Sequence, residues 1–285
     1  MPERRSLLAV FAHPDDESIV AGGTFLRYAQ EGVRTALICA TRGEWGPISD
    51  DKLADYSNLG EIRESELRAA CEVLKIGWLK FLDLHDGSVA AVVGSQEELS
   101  TLEKIVRAIR EIRPQTVITF GPDGLYGHDD HIAIGRFTTQ ACLMADDVES
   151  FPHHQAEGLN PHQVSNLYYS TWPRGMANQM LERIDGGGQV THLWGIPPEQ
   201  FGIPSEKITA AINVSQYVEL KLAALRCHRT QLDANHIFTA ITSDLAHEFL
   251  GTEYFRSAFS DDTSTQIETD LFTMPKEREH AHDTK

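Results

Sequence analysis

Short apolar runs at residues 6–12, 34–40, 79–82 and 116–120 alternate with longer segments at 19–30, 60–75 and 97–113. The last two segments repeat apolar residues with the helical period, whereas runs this short suit strands buried on both faces. Strands that alternate with helices are joined by right-handed crossovers. The chain is therefore restricted to an α/β fold of Rossmann-like type, a mostly parallel sheet with helices on both faces. Pro114 ends the third helical segment, because its ring removes a donor and clashes with the preceding turn. A fourth helix is expected at 130–144.

Beyond it the pattern changes. Residues 146–204 are interrupted by Phe151-Pro152-His153-His154, Asn160-Pro161, Gly186-Gly187-Gly188 and Pro197-Pro198. One strand is expected at 167–172, and the rest reads as an irregular insert of loops that wall a cleft. A strand at 208–214 follows, then a helix that starts with Ser215 as its N-cap and runs to about residue 229. The expected organisation is a core at 1–145 carrying the site, the insert at 146–204, a stretch at 205–273 completing the same domain, and a charged, disordered tail at 274–285.

Charge and cysteine usage narrow the class. With a formal net charge of -17 over 285 residues and no basic stripe, the chain lacks what phosphate-backbone binding needs, so no nucleic-acid partner is expected. No stretch approaches the roughly 20 apolar residues of a transmembrane segment. The cysteines Cys39, Cys71, Cys142 and Cys227 stand singly in apolar surroundings, as buried reduced thiols do, and a cytoplasmic protein is expected. A homo-oligomer is compatible with the sequence, which leaves assembly open.

Chemistry concentrates after two of the strands. Ala12-His13-Pro14-Asp15-Asp16-Glu17 follows the first apolar run, and Gly127-His128-Asp129-Asp130-His131 follows the run at 116–120. The carboxyl ends of parallel strands are where ligands bind in open α/β sheets. Either cluster alone reads as an acidic turn or a solvated loop; on one sheet edge together they read as a metal site. His13 and Asp16 can point to one side of a turn stiffened by Pro14, and His131 is the natural third ligand. Two imidazoles and a carboxylate leave coordination positions open, as catalytic Zn2+ sites do, although Fe2+ or another divalent metal accepts the same set. A metal-bound hydroxide could then attack an amide or ester, with Asp15 as general base, His128 stabilising the oxyanion or protonating the leaving amine, and Asp130 tuning His128. His153, His154 and His162 in the insert, and His280 and His282 in the tail, are expected at the surface.

These residues resemble the PIG-L/LmbE-like family, zinc-dependent deacetylases of N-acetylglucosamine-type sugars and related amides. The resemblance includes both clusters, Thr41-Arg42-Gly43-Glu44 after the second strand, and Ile62-Arg63-Glu64-Ser65-Glu66-Leu67 opening a helix. It continues through Asp86 and Tyr126 and from Lys221 through His228 to Gln231. It implies that His13, Asp16 and His131 bind zinc and that Asp15, His128, Asp130 and Tyr126 carry the chemistry, with Tyr126 reaching the oxyanion. It further implies that Arg63, Asp86 and Glu44 meet the substrate, an N-acyl amino sugar or conjugate. His228 and Gln231 are expected in structural hydrogen bonds. The sequence departs from the commonest family pattern at Asp129, where proline is usual. Its loop Asp83-Leu84-His85-Asp86-Gly87-Ser88 also lacks the Arg-Asp-Ser-Gly typical of members acting on mycothiol precursors. The expected activity is therefore N-deacetylation of an amino sugar. The alternatives are an amidase on a larger thiol or lipid conjugate, and a non-catalytic sugar-binding module that retains the metal.

Overall fold

The structure, a computed structural model, describes residues 4–184, 192–259 and 267–273. Its strands are β1 (Ser6–Phe11), β2 (Arg34–Cys39), β3 (Trp78–Phe81), β4 (Thr116–Phe120), β5 (Asn166–Thr171), β6 (Ala210–Asn213) and β7 (Thr252–Ser257). They form one sheet in the order β3-β2-β1-β4-β5-β7-β6. The first five run parallel, while β7 lies antiparallel to both β5 and β6. β1 and β4 are buried along their whole length, as their near-continuous apolar sequences require of central parallel strands.

The principal helices are α1 (Asp16–Val20), α2 (Gly22–Gln30), α3 (Leu59–Leu74), α4 (Glu98–Ile112), α5 (Asp129–Asp146), α6 (Met176–Ile184), α7 (Val218–Leu225) and α8 (Ser243–Leu250). They flank the sheet in groups, α4 against α5 and α7 against α3 and α2. The strand order reverses at β1: β2 and β3 build away on one side, and β4 lies on the other. That switch opens a crevice between the loops that follow β1 and β4.

Four differences from the sequence reading have physical causes. The helix expected at 19–30 is broken at Ala21, because Glu253 of β7 accepts from the amides of Gly23 and Thr24 at 2.8 and 2.7 Å and starts α2 afresh. Glu253 also pairs with Lys221 at 2.6 Å, both buried, so β7 carries a charge on its inward face and shows no apolar run. Within 146–204, β5 is a full member of the sheet, and α6 buries Met176, Ala177 and Met180 where loops were expected. Ser215 does not cap a long helix: its hydroxyl donates to Asn213 in a short 3-10 turn that precedes α7, and α7 ends at Leu225.

His154 and His162 are buried, against the surface expectation, because His154 bonds Arg110 and His162 bonds the Pro114 carbonyl; only His153 is exposed. The expectations for Gly186-Gly187-Gly188 and for the 274–285 tail with His280 and His282 lie outside the described residues. All four cysteines are free, and Cys39, Cys71 and Cys142 are buried.

Candidate active site

Every sequence-predicted site residue except Arg63 sits in a loop after one of four adjacent parallel strands or at the helix start that follows it. His13, Asp15 and Asp16 follow β1, Glu44 follows β2, Asp86 follows β3, and Tyr126, His128, Asp130 and His131 follow β4. Arg63 reaches the same edge from α3. The chain places the second cluster by close packing: a Cβ on Gly135 would lie 2.2 Å from the Phe120 carbonyl oxygen, so glycine lets α5 sit directly on the end of β4. His131, one turn earlier on α5, stacks on the Phe120 ring with centroids 3.9 Å apart.

The hydrogen bonds around the His13 and His131 imidazoles fix their tautomers. His131 Nδ1 lies 3.2 Å from the Gly124 carbonyl oxygen, an acceptor only, so Nδ1 carries the proton and Nε2 a lone pair. His13 Nε2 lies 3.0 Å from Asp86 Oδ1 and 3.4 Å from Asp130 Oδ2, so it likewise is the protonated nitrogen. The two remaining nitrogens, His13 Nδ1 and His131 Nε2, face each other at 3.2 Å. Asp16 closes the group, with Oδ2 at 3.8 Å from His13 Nδ1 and Oδ1 at 3.4 Å from His131 Nε2. Asp16 is itself fixed, because its Oδ2 accepts from the amides of Ala12 and His13 at 3.1 and 2.9 Å.

Lone pairs opposed at that distance repel unless a cation lies between them. A proton is the smallest cation that serves, and a divalent metal also answers the carboxylate. The residues therefore fit the metal that the sequence implies: two imidazoles and a carboxylate, all buried, whose imidazole N–H groups are held by carboxylates and a carbonyl as ligand histidines are. The same demand for positive charge shows in His13. Burial works to lower it, but the hydrogen-bonded carboxylates of Asp130 and Asp86, with Asp16 alongside, push it up to about 10. Burial of Asp16 raises it to about 7 despite His13. Asp86 is half-buried; burial works to raise it, and its bond to His13 outweighs this and lowers it to about 2.

Asp15 stands beside this group in a strained backbone, φ 120° and ψ −31°, a conformation that costs a non-glycine residue about 1–3 kcal/mol. Arg63 fixes it, donating from Nη2 to the Pro14 carbonyl at 2.6 Å and to Asp15 Oδ2 at 3.2 Å, and from Nη1 to the Gly43 carbonyl at 2.9 Å. Gly43, at φ 64°, is where a side chain would strike that guanidinium. Burial raises Asp15 above its ordinary value, with Arg63 opposing. His128 caps α5: its Nδ1 accepts from the Asp130 amide at 3.1 Å, so in the neutral ring Nε2 carries the proton. Burial, and then His13, lower His128 below its ordinary value.

The charge of Asp130 works to raise His128 against burial and His13, but its carboxylate hydrogen-bonds elsewhere. Its carboxylate accepts from the amides of Gly87 and Val89 at 2.7 and 2.9 Å and faces His13, while its backbone is what touches His128. Burial works to raise Asp130, and its bond to His13 outweighs this, so it is lowered. Asp129 is exposed at the start of α5.

Glu44 is not among the cavity's lining residues. It accepts from the Asp86 amide at 3.1 Å and so holds the loop that carries Asp86. Arg63 and Asp86 do line the cavity, although much of their hydrogen bonding is given to Asp15 and His13.

The cavity has a volume of about 460 Å3. His13, Asp15, Asp16, Tyr126 and His128 line it, together with Trp194, Ile196 and Phe201 from the irregular stretch, Phe201 packing on Tyr126 with ring centroids 4.9 Å apart. Sequence reasoning named that stretch but not those three side chains, nor Trp45, which also lines it, and it expected Gln231 only in structural hydrogen bonds, whereas Gln231 lines the cavity as well. Trp45 directly follows the Thr41-Arg42-Gly43-Glu44 segment, and that position was its one signal. A further group of metal-capable residues, Glu103, His153 and His154, lies apart from the cavity, with His154 bonded to Arg110.

The chain is similar to known proteins along most of its length. Residues 8–142 match the family model described as PIG-L, GlcNAc-PI de-N-acetylase. A protein of Thermobispora bispora named 1D-myo-inositol 2-acetamido-2-deoxy-alpha-D-glucopyranoside deacetylase is 32% identical over 277 residues, covering 90% of this chain and 88% of its own. One of the same name from Acidothermus cellulolyticus is 34% identical over 271 residues, covering 88% of each.

Among solved structures, N,N'-diacetylchitobiose deacetylase from Pyrococcus horikoshii superposes with TM-score 0.63 at 20% identity, over 90% of this chain and 83% of its own. A 4-carboxy-2-hydroxymuconate hydratase from Pseudomonas putida superposes with TM-score 0.62 at 18% identity, over 94% and 99%. A deacetylase and a hydratase thus share the fold, and it is the sequence relatives that decide between them. On that ground the chain belongs to the PIG-L family of de-N-acetylases.

Proposed function

We propose that this chain is a metal-dependent hydrolase that removes the acetyl group from an N-acetylglucosamine-type sugar or conjugate. The observation that carries the proposal is the convergence of two imidazole lone pairs and a carboxylate beside a cavity that His13, Asp15 and Asp16 line. His13, Asp16 and His131 would hold the metal, with Zn2+ the first candidate. When bound, such an ion polarises an amide carbonyl and acidifies water.

The protein's own groups do the rest. Asp15, raised by burial and aimed by Arg63, takes the proton of the attacking water as its oxygen adds to the acetyl carbon. His128, neutral and with its proton on Nε2, donates a hydrogen bond to the developing oxyanion, and Tyr126 lies beside it to add another. The C–N bond then breaks, Asp15 returns its proton to the leaving nitrogen, and acetate and a free amine remain. Asp86 and Asp130 keep His13 in its tautomer, and Arg63 and Asp86 border the space where sugar hydroxyls would lie.

The relatives' names make 1D-myo-inositol 2-acetamido-2-deoxy-α-D-glucopyranoside and N,N'-diacetylchitobiose the substrates to try first. Protein loaded with Zn2+ should release free amine and acetate in equal amounts from at least one of them, stop on chelation, and recover with added metal. Turnover indifferent to chelator, or none with either compound, contradicts the proposal. The apolar wall of Trp194, Ile196 and Phe201 favours a second reading, a larger conjugate with an apolar part. A series of N-acetylglucosaminides with growing alkyl groups separates the two by where kcat/KM peaks.

A further inference from the structure

We infer that Glu17 and His228 form a positioning pair that holds Asp15 in its reactive placement. The inference rests on the hydrolytic reading above, which leaves both residues without a part. A non-glycine backbone at φ 120° persists only where its surroundings over-determine it. At Asp15 they do so from two sides. Arg63 holds the preceding carbonyl and the carboxylate, while the Asp15 amide donates to Glu17 Oε2 at 3.0 Å.

Glu17 is fixed in turn. Its Oε1 accepts from His228 Nε2 at 2.8 Å and from the Ser18 hydroxyl at 2.5 Å. Glu17 is 1% exposed and His228 0%. The bond to Glu17 is the ring's one side-chain hydrogen bond among the described residues, its Nδ1 being buried without a partner. Neither side chain lines the cavity. His228 enters from just beyond the end of α7, which packs on α1 and α3. The far end of the chain thus sets the amide of the proposed base, as an outer partner sets a ligand's orientation.

The test compares Glu17→Met, which fills the space without accepting a hydrogen bond, with Glu17→Gln, which keeps an oxygen for the Asp15 amide. With the N-acetylglucosamine conjugate that the wild type hydrolyses, Glu17→Met should lose about 10- to 100-fold in kcat. Its KM should stay within about twofold, because binding is not what the pair serves. Metal content should be unchanged, and Glu17→Gln should recover most of the rate. Independently of turnover, amide hydrogen exchange at Asp15 should quicken in Glu17→Met but not in Glu17→Gln, with the β1 amides as slow as before.

Should Glu17→Met not fold, His228→Ala at the other end of the pair must show the same faster exchange at Asp15. Unchanged exchange at Asp15 in both variants, an unchanged kcat in Glu17→Met, or a loss of metal that accounts for the lost rate, overturns the inference. If Asp15→Asn keeps its turnover, the hydrolytic reading fails instead, whatever the exchange at Asp15 shows.

Discussion

Two adjacent carboxylates are held in different surroundings by their hydrogen bonds. Asp16 receives two backbone amides and faces two imidazoles, as a ligand does; Asp15 faces an arginine and the open cavity, as a proton carrier does. Asp15→Asn should therefore lower kcat by about 100- to 10,000-fold with metal content intact, measured by amine release and metal analysis.

The buried Glu17–His228 pair makes a second prediction. His228 is raised above its ordinary 6.5: burial works to lower it, and Glu17 outweighs this. Glu17 is lowered below its ordinary 4.5: burial works to raise it, and His228 outweighs this. The stability His228 contributes is full below 6.5 and fades as pH rises through its raised value. The Glu17 share is full above 4.5 and fades as pH falls through its lowered value. Melting temperature should thus crest between those limits, and His228→Gln should flatten the alkaline shoulder. Which residues meet at the site was legible where a motif lists its candidate ligand types in order. The parts of Arg63 and Glu44 were not, because a side chain's hydrogen-bond partners across the fold leave no local trace.

Elements were legible where burial makes them apolar. β1, β2 and β4 start at the expected residues and end within one of them, since each reads as a mostly apolar run. β7 went unread because its buried Glu253 and its neighbour Arg256 interrupt the run, and α6 because glycine and proline on either side mask a short helical stripe. The same charge that hid β7 supports it. Lys221→Met leaves Glu253 buried without its cation and should cost about 3–5 kcal/mol in urea unfolding. Gly135 joins α5 to β4 at a distance that no side chain allows. Gly135→Val should destabilise by about 1–3 kcal/mol and weaken metal binding together, because the helix it displaces carries His131. A stability loss with metal affinity unchanged would show that His131 does not depend on that contact.

At the scale of the whole molecule, the parallel sheet gathers residues far apart in sequence onto one edge, where the turn after β1 and the loop after β4 face each other. That much followed from two clusters placed after two strands. The wall of Trp194, Ile196 and Phe201 did not, because irregular backbone has no period from which to tell which side chains face inward. No helix among the described residues is long and apolar enough to cross a membrane. The account as a whole depends on one cation held by three residues from the loops after β1 and β4. An anomalous-difference map from crystals of the zinc-loaded protein tests this directly. The account predicts a peak bonded to His13 Nδ1, an Asp16 carboxylate oxygen and His131 Nε2, with Asp15 left uncoordinated. A peak at Glu103, His153 and His154 alone, or His131 beyond bonding distance of the ion, would contradict it.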